Sequence, residues 1–143
     1  MKSGIEMAQD IYGLLDVNSI NSIITGSNYL FERPQNSPLQ DIVTSTLAST
    51  NEQMQKGVVN VNIHCPNLSG LVINGKTDNT QPDIASLKTI SKAVLTILNC
   101  YYGIDFRCFA QTTGIPVRDD SNGSWFANIR VDYYSFQNNY TNI

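Results

Sequence analysis

Residues 59 to 65, VNVNIHC, change character at every step. Val59, Val61, Ile63 and Cys65 fall on one side, and Asn60, Asn62 and His64 on the other. Strand side chains alternate between opposite faces. This stretch is therefore a strand with one greasy face and one amide face. The run from Trp125 to Gln137 has the same period: Trp125, Ala127, Ile129, Val131 and Tyr133 on one side, Phe126, Asn128, Arg130, Asp132 and Tyr134 on the other. Two long period-2 segments demand a sheet, and its apolar face demands a cover.

The cover is written as two period-3.6 segments. Ile5, Ala8, Ile11, Tyr12 and Leu15 mark an amphipathic helix, and a short helical turn with Ile20, Ile23 and Ile24 ends at Gly26. Ile84, Leu87, Ile90, Val94, Ile97, Leu98 and Tyr101 mark a second helix, stopping before Gly103. Thr80 is read as its cap, with Asp83 three residues on and Pro82 in the first turn. Between the helices, Asn28 to Glu32 is a short strand carrying Tyr29 and Phe31 on one face. Asp41 to Ser49 is a strand with Val43 and Leu47 opposite Thr44, Thr46 and Ala48. Asn51 to Gly57 is its turn, and Val58 to Cys65 the return. Leu71-Val72-Ile73 with Asn74-Gly75 reads as a small hairpin of its own. Asp105 to Thr112 is a further strand, Thr113 to Ser124 a loop.

The expectation is one α+β domain over residues 1–137, an antiparallel sheet of four to five strands with two main helices on one face, and a C-terminal arm at 138–143. A chain of 143 residues is long enough for one core. Its 41% apolar and 15% charged content, with apolar runs of at most four or five residues, excludes disorder and bilayer-spanning helices. MKSGIEMAQD holds no secretory pattern, so residence in a cytoplasm is expected.

The charge pattern offers little for nucleic-acid binding, although a ring of subunits could concentrate sparse charges. Net charge is −3 and nine basic residues are scattered singly, with none converging as phosphate contacts require. Asparagine occurs 16 times, more often than lysine and arginine together. The surface is polar by amide rather than by charge, and amides are cheaper to bury than ions. That favours packing against neighbours.

Catalytic and metal signatures fail one by one. His64 is the single histidine and adjoins Cys65, so the two point to opposite strand faces and make no nucleophile–base pair. Cys65, Cys100 and Cys108 lack ligand spacing and read as free thiols in apolar segments. Asp119-Asp120 is turn chemistry. The stretch Asp120-Ser121-Asn122-Gly123 lacks the first and last ligands of a calcium loop, where Arg118 and Ile129 stand. The sites Asn67, Asn122 and Asn139 match the N-glycosylation acceptor but follow from asparagine abundance. No cofactor, metal or catalytic residue is expected. Candidate contact residues are Asn60, Asn62 and His64 on the amide face, Gln53 and Lys56 at the hairpin, Arg118, Asp119 and Asp120 in the late loop, and Phe126 and Tyr134 on the last strand. That last strand is apolar on both faces, so its second face needs covering by a loop or by another subunit.

In element order the chain has a first helix, NYLFERPQNSPLQDIVTSTL, a hairpin ending in GVVNVNIHCPN, a long loop, a second helix, and the closing strand WFANIRVDYYSF. This resembles the small tail-completion and tail-terminator proteins of long-tailed bacteriophages and the related head-to-tail connector proteins. Arg33-Pro34 after a short strand and VNVNIHCPN before an extended loop carry the likeness, which runs over nearly the whole chain. The resemblance implies an α+β subunit that assembles as a ring, commonly a hexamer, at the head-proximal end of the tail tube. Its partners would be copies of itself, the tail tube protein and the head connector or stopper. DNA would pass through the lumen unread, which mild negative charge suits. The implied location is the virion neck, with the host cytoplasm during assembly, and no membrane. The segments 66–81, 51–57 and 113–124 are the expected contacts with tube or connector. Two other readings are a head stopper or adaptor ring, and a small enzyme or ligand-binding α+β domain. The second would show a deep pocket of convergent polar groups.

Overall fold

The structure, a computed structural model, describes residues 1–136. The expected arm at 138–143 lies outside the described residues. Helix α1 (Gly4–Val17) starts at a capping box: Ser3 Oγ accepts from the Glu6 amide at 3.2 Å, and Glu6 Oε1 accepts from the Ser3 amide at 3.2 Å. Met7, Ala8, Ile11 and Leu15 form its buried stripe, whereas Ile5, expected on that stripe, is mostly exposed. The stripe opens at Met7, and ahead of it Gly4 packs against Thr46, whose hydroxyl donates to the Gly4 carbonyl. The chain leaves α1 through Ser19, held in the left-handed region at φ 60°, into a 3₁₀ turn (Ile20–Ile23).

Nine strands follow, seven of them in one mixed sheet. They are β1 (Asn28–Leu30), β2 (Asp41–Ser49), β3 (Met54–Cys65), the small pair β4 (Leu71–Ile73) and β5 (Lys76–Asp78), then β6 (Tyr101–Tyr102), β7 (Phe106–Ala110), β8 (Ile115–Asp119) and β9 (Ser124–Phe136). The main sheet runs β1-β2-β3-β9-β7-β6, and β8 pairs with β9 on the same edge as β7. Its spine is the antiparallel ladder of β3 and β9, twelve residue pairs from Met54↔Phe136 to Cys65↔Trp125 without a register shift.

Several expectations are corrected here. The sheet has seven strands rather than four to five, and it is mixed because β1 runs parallel to β2. The link 31–40 turns back on itself, with the Ser37 amide bonded to the Pro34 carbonyl, and delivers β2 alongside β1 in the same direction. The expected turn 51–57 is strand from Met54 onward. The Gln55 side chain, fully buried, bonds the Lys2 backbone and the Thr50 carbonyl, and a Cβ on Gly57 would sit 2.5 Å from Met7 Sδ. Glycine there lets the strand pass beneath α1. The expected loop 113–124 is a hairpin of β8 and β9 joined at residues 120–123. Pro116 and the shortness of β8 concealed it, yet proline is tolerated on an edge strand. Phe31 ends β1 at φ 67° rather than extending it.

Helix α2 (Ile84–Leu98) is capped by Asp83, not Thr80: Asp83 Oδ1 accepts from the Ser86 amide at 3.2 Å. Thr80 instead donates to Asp78. The helix stops at Leu98, where Asn99 and then Cys100 (φ 59°) turn the chain. Tyr101, expected on the helix, is therefore in β6. Both helices lie on one face of the sheet. Met7, Ile11, Leu15, Leu87, Ile90, Val94 and Leu98 pack there with Val59, Val61, Ile63, Ala127, Ile129, Val131 and Tyr133. The alternation read for β3 and β9 thus places its apolar residues inward, but the face read for β2 is corrected: Thr44 and Thr46 stand opposite Val61 and Val59 on the helix side, Val43 stands opposite Asn62 on the other, and Leu47 is exposed at a bulge. Among the described residues no helix is long and apolar enough to cross a membrane.

Candidate functional site

The opposite face of the sheet carries the candidate residues, and the β3–β9 register decides which of them meet. Asn62 stands opposite Asn128, His64 opposite Phe126, Asn60 opposite Arg130 and Lys56 opposite Tyr134. Asn128 Nδ2 donates to Asn62 Oδ1 at 2.7 Å and approaches Asn60 Oδ1 at 3.4 Å. The His64 ring lies against Phe126 with centroids 5.0 Å apart. The face then divides into two ends.

At the His64 end, the link after β1 leans over the sheet. Residues 31–36, with Val43, Ser45, Asn62 and His64 from the sheet and Asp119, Ser121 and Asn122 from the β8–β9 turn, enclose a polar cavity of about 550 Å³. The link is held by Asp41, a fully buried carboxylate on the first residue of β2. Asp41 accepts from the Ser37 hydroxyl at 2.6 Å, from the Ser27 amide at 3.2 Å and from Arg33 Nη1 at 3.4 Å. Gly26 makes this possible, since a Cβ there would fall 1.9 Å from Asp41 Oδ1. Burial, then the charge of Arg33, pushes the His64 pKa down to about 4. The imidazole is accordingly neutral near pH 7, and its buried Nδ1 has no hydrogen-bond partner in the described structure. Asp119 stays below the usual carboxylate range because the Ser121 hydroxyl and amide donate to it. Cys65 points to the helix side, where burial raises its pKa to about 12. The thiol stays protonated and cannot work with His64.

At the other end the face is aromatic and open. Tyr102, Phe109 and Tyr134 form a chain of edge contacts with centroids 5.5 and 6.1 Å apart, and the Arg107 guanidinium lies 5.5 Å from the Tyr134 ring centre. Tyr102 is 68% exposed and Phe136, the last residue of β9, 55%.

The candidates therefore split. Asn60, Asn62, His64, Phe126 and Asp119 come together around or beside the cavity. Lys56 and Tyr134 belong to the aromatic end, and Gln53 lies in the exposed β2–β3 turn. Arg118 pairs with Trp125 on the helix side of β8, and its guanidinium lies 4.0 Å from the exposed Asp120 carboxylate. Sequence reasoning missed Arg33, Asp41 and Asn128. An aspartate beginning an alternating strand and an arginine before proline were the available signals, but only the fold brings them together. It also missed Arg107 and Phe109, which share alternate positions of β7. Among the described residues no group of three or more histidine, cysteine or acidic side chains could hold a metal ion.

A second concavity lies on the helix side. About 590 Å³ of apolar space opens between α2 and the β8–β9 hairpin, floored by Leu87, Leu95, Trp125 and Ala127. Trp125 Nε1 donates to the Thr80 carbonyl at 3.2 Å, fixing one wall. Lys88 and Lys92, both exposed, stand at its border. No protein-family model matches this chain, and no curated protein matches its sequence.

Proposed function

We propose that the chain is a structural subunit that assembles as a ring at the head-proximal end of a bacteriophage tail, ending tube growth and joining tail to head connector. The observation that supports this most directly is the open aromatic end of the sheet. Tyr102, Phe109, Tyr134 and Arg107 are the residue types enriched in the cores of protein interfaces, and they stand together with no element of the described chain over them. Among the described residues Tyr102 and Arg107 are exposed and Phe109 and Tyr134 half-buried, and a neighbouring copy would cover them. The amide row of Asn60, Asn62 and Asn128 adjoins it and tolerates burial better than charges would. A closed ring uses two different surfaces of each copy.

The test is assembly. The purified chain, followed by mass photometry over a concentration series and by negative-stain imaging, is expected to give closed multi-subunit particles. Virions made without it are expected to carry tails of abnormal length or tails detached from heads. A compact monomer at every concentration, together with normal tails in its absence, would sink the reading. A second reading, a small ligand-binding domain, is favoured by one observation: the polar cavity beside His64, with Arg33, Asn62 and Asp119 around it. Binding of a small polar ligand by a persistently monomeric chain would select it.

A further inference from the structure

The β6–β7 turn carries an exposed isoleucine beside a carboxylate, the groove beside α2 is an apolar hollow beside two lysines, and the two lie at different levels of the sheet. Ile104, at the tip of the turn, is fully exposed, more so than any other large apolar side chain among the described residues. Exposed isoleucines are ordinary, but this one is presented by a rigid support. The Gly103 amide bonds the Phe106 carbonyl at 2.9 Å, and Tyr102 pairs with Arg107. Next to it, Asp105 is ion-paired with Lys2, yet its side chain remains 70% exposed. The turn thus offers an apolar knob with an acidic flank.

The groove offers the converse. Its floor is apolar, and its border carries Lys88 and Lys92, neither of which has a carboxylate partner among the described residues. The knob cannot enter the groove of its own chain. The turn is level with Ser135, whose hydroxyl donates to the Asp105 carbonyl, while the groove is level with Ala127. Eight strand residues separate the two levels, about 26 Å at ~3.3 Å per residue.

We infer that the Ile104 turn of one copy seats in the α2 groove of the next, with Asp105 facing Lys88 and Lys92. The contact is heterologous, knob to groove, so each copy has one of each to offer and successive copies propagate in one sense. This rests on the ring reading above and names the two surfaces that mate. The aromatic patch adjoins the turn through Tyr102 and is covered in the same contact.

The test uses full-length variants changed only at exposed positions, with circular dichroism to verify the fold. Ile104→Asp, and separately the pair Lys88→Glu with Lys92→Glu, are each expected to weaken self-association about tenfold or more. Mixing the two variants is expected to restore dimers but nothing larger, since each brings one intact half. With the exposed Cys100 replaced by Ser, Ile104→Cys combined with Lys88→Cys is expected to give a ladder of oxidised oligomers. If the wild-type chain forms rings while both surface variants also form them and no ladder appears, the inference fails and the ring reading stands. A wild-type chain that stays monomeric on its own and on tail tubes overturns both.

Discussion

The two faces of the β3–β9 ladder are built from alternate residues of the same two strands, and they are finished to different standards. On the helix side Val59, Val61, Ile63, Ile129 and Val131 are fully buried and uniformly apolar. On the other side the same strands present asparagines, a neutral histidine and aromatic rings, most of them half-buried. The first face is filled as a core must be. The second is specified by partners: Asn128 to Asn62, His64 to Phe126, Arg107 to Tyr134. The difference teaches that one strand pair can separate two surfaces by parity alone, with the core on one parity and a polar and aromatic face on the other.

The sharpest way to break that contrast is to truncate neighbours of opposite parity. Ile129→Ala is expected to cost about 2–5 kcal/mol in chemical denaturation, through lost burial and the cavity it leaves. Gly57→Val is expected to cost about 1–3 kcal/mol, because its side chain would meet Met7 and the Ala48 carbonyl. This measures how tightly α1 sits on β3. Asn128→Ala, on the other parity, is expected to cost only about 1 kcal/mol, since Asn60 and Asn62 are half-buried and can turn to water. An Asn128→Ala loss as large as that of Ile129→Ala would end the distinction between the faces.

A further effect is one of pH. His64 titrates near 4 in the folded chain and near 6.5 when unfolded. As pH falls below 6.5 the unfolded chain takes up the proton first. Stability from this residue therefore declines between pH 6.5 and about 4 and is constant above that window. His64→Gln is expected to flatten this stretch of the wild-type stability profile while leaving the steeper carboxylate region below it. An unchanged slope would show that the imidazole is not held neutral by its surroundings.

A bulge between Thr46 and Ala48 hid the parity of β2, whereas the parity of β3 and β9 was legible in the sequence because the period of each runs unbroken. The stripe of α2 was legible for the same reason. Element ends were not. Thr80 does not cap α2 because its amide and hydroxyl both donate to Asp78, the last residue of β5, and Asp83 takes the cap. Strand β8 was lost because Ile115 and Val117 flank a proline and the segment is short. Strand β1 was legible but its parallel direction was not, because that direction is set by Asp41, which gathers Ser27, Arg33 and Ser37 across the 31–40 link. Of the site, the amide face was legible. Its division into a roofed polar end and an open aromatic end was not, because that depends on where loops land.

The twelve-pair register of β3 with β9 has a mechanical consequence. Tension applied along β9 acts parallel to the strand and perpendicular to its hydrogen bonds. All the rungs are then strained together, as in a lap joint, instead of opening one at a time like a peeled tape. With β7 and β8 gripping its other edge, β9 is the segment from which this molecule can be pulled hardest before it yields.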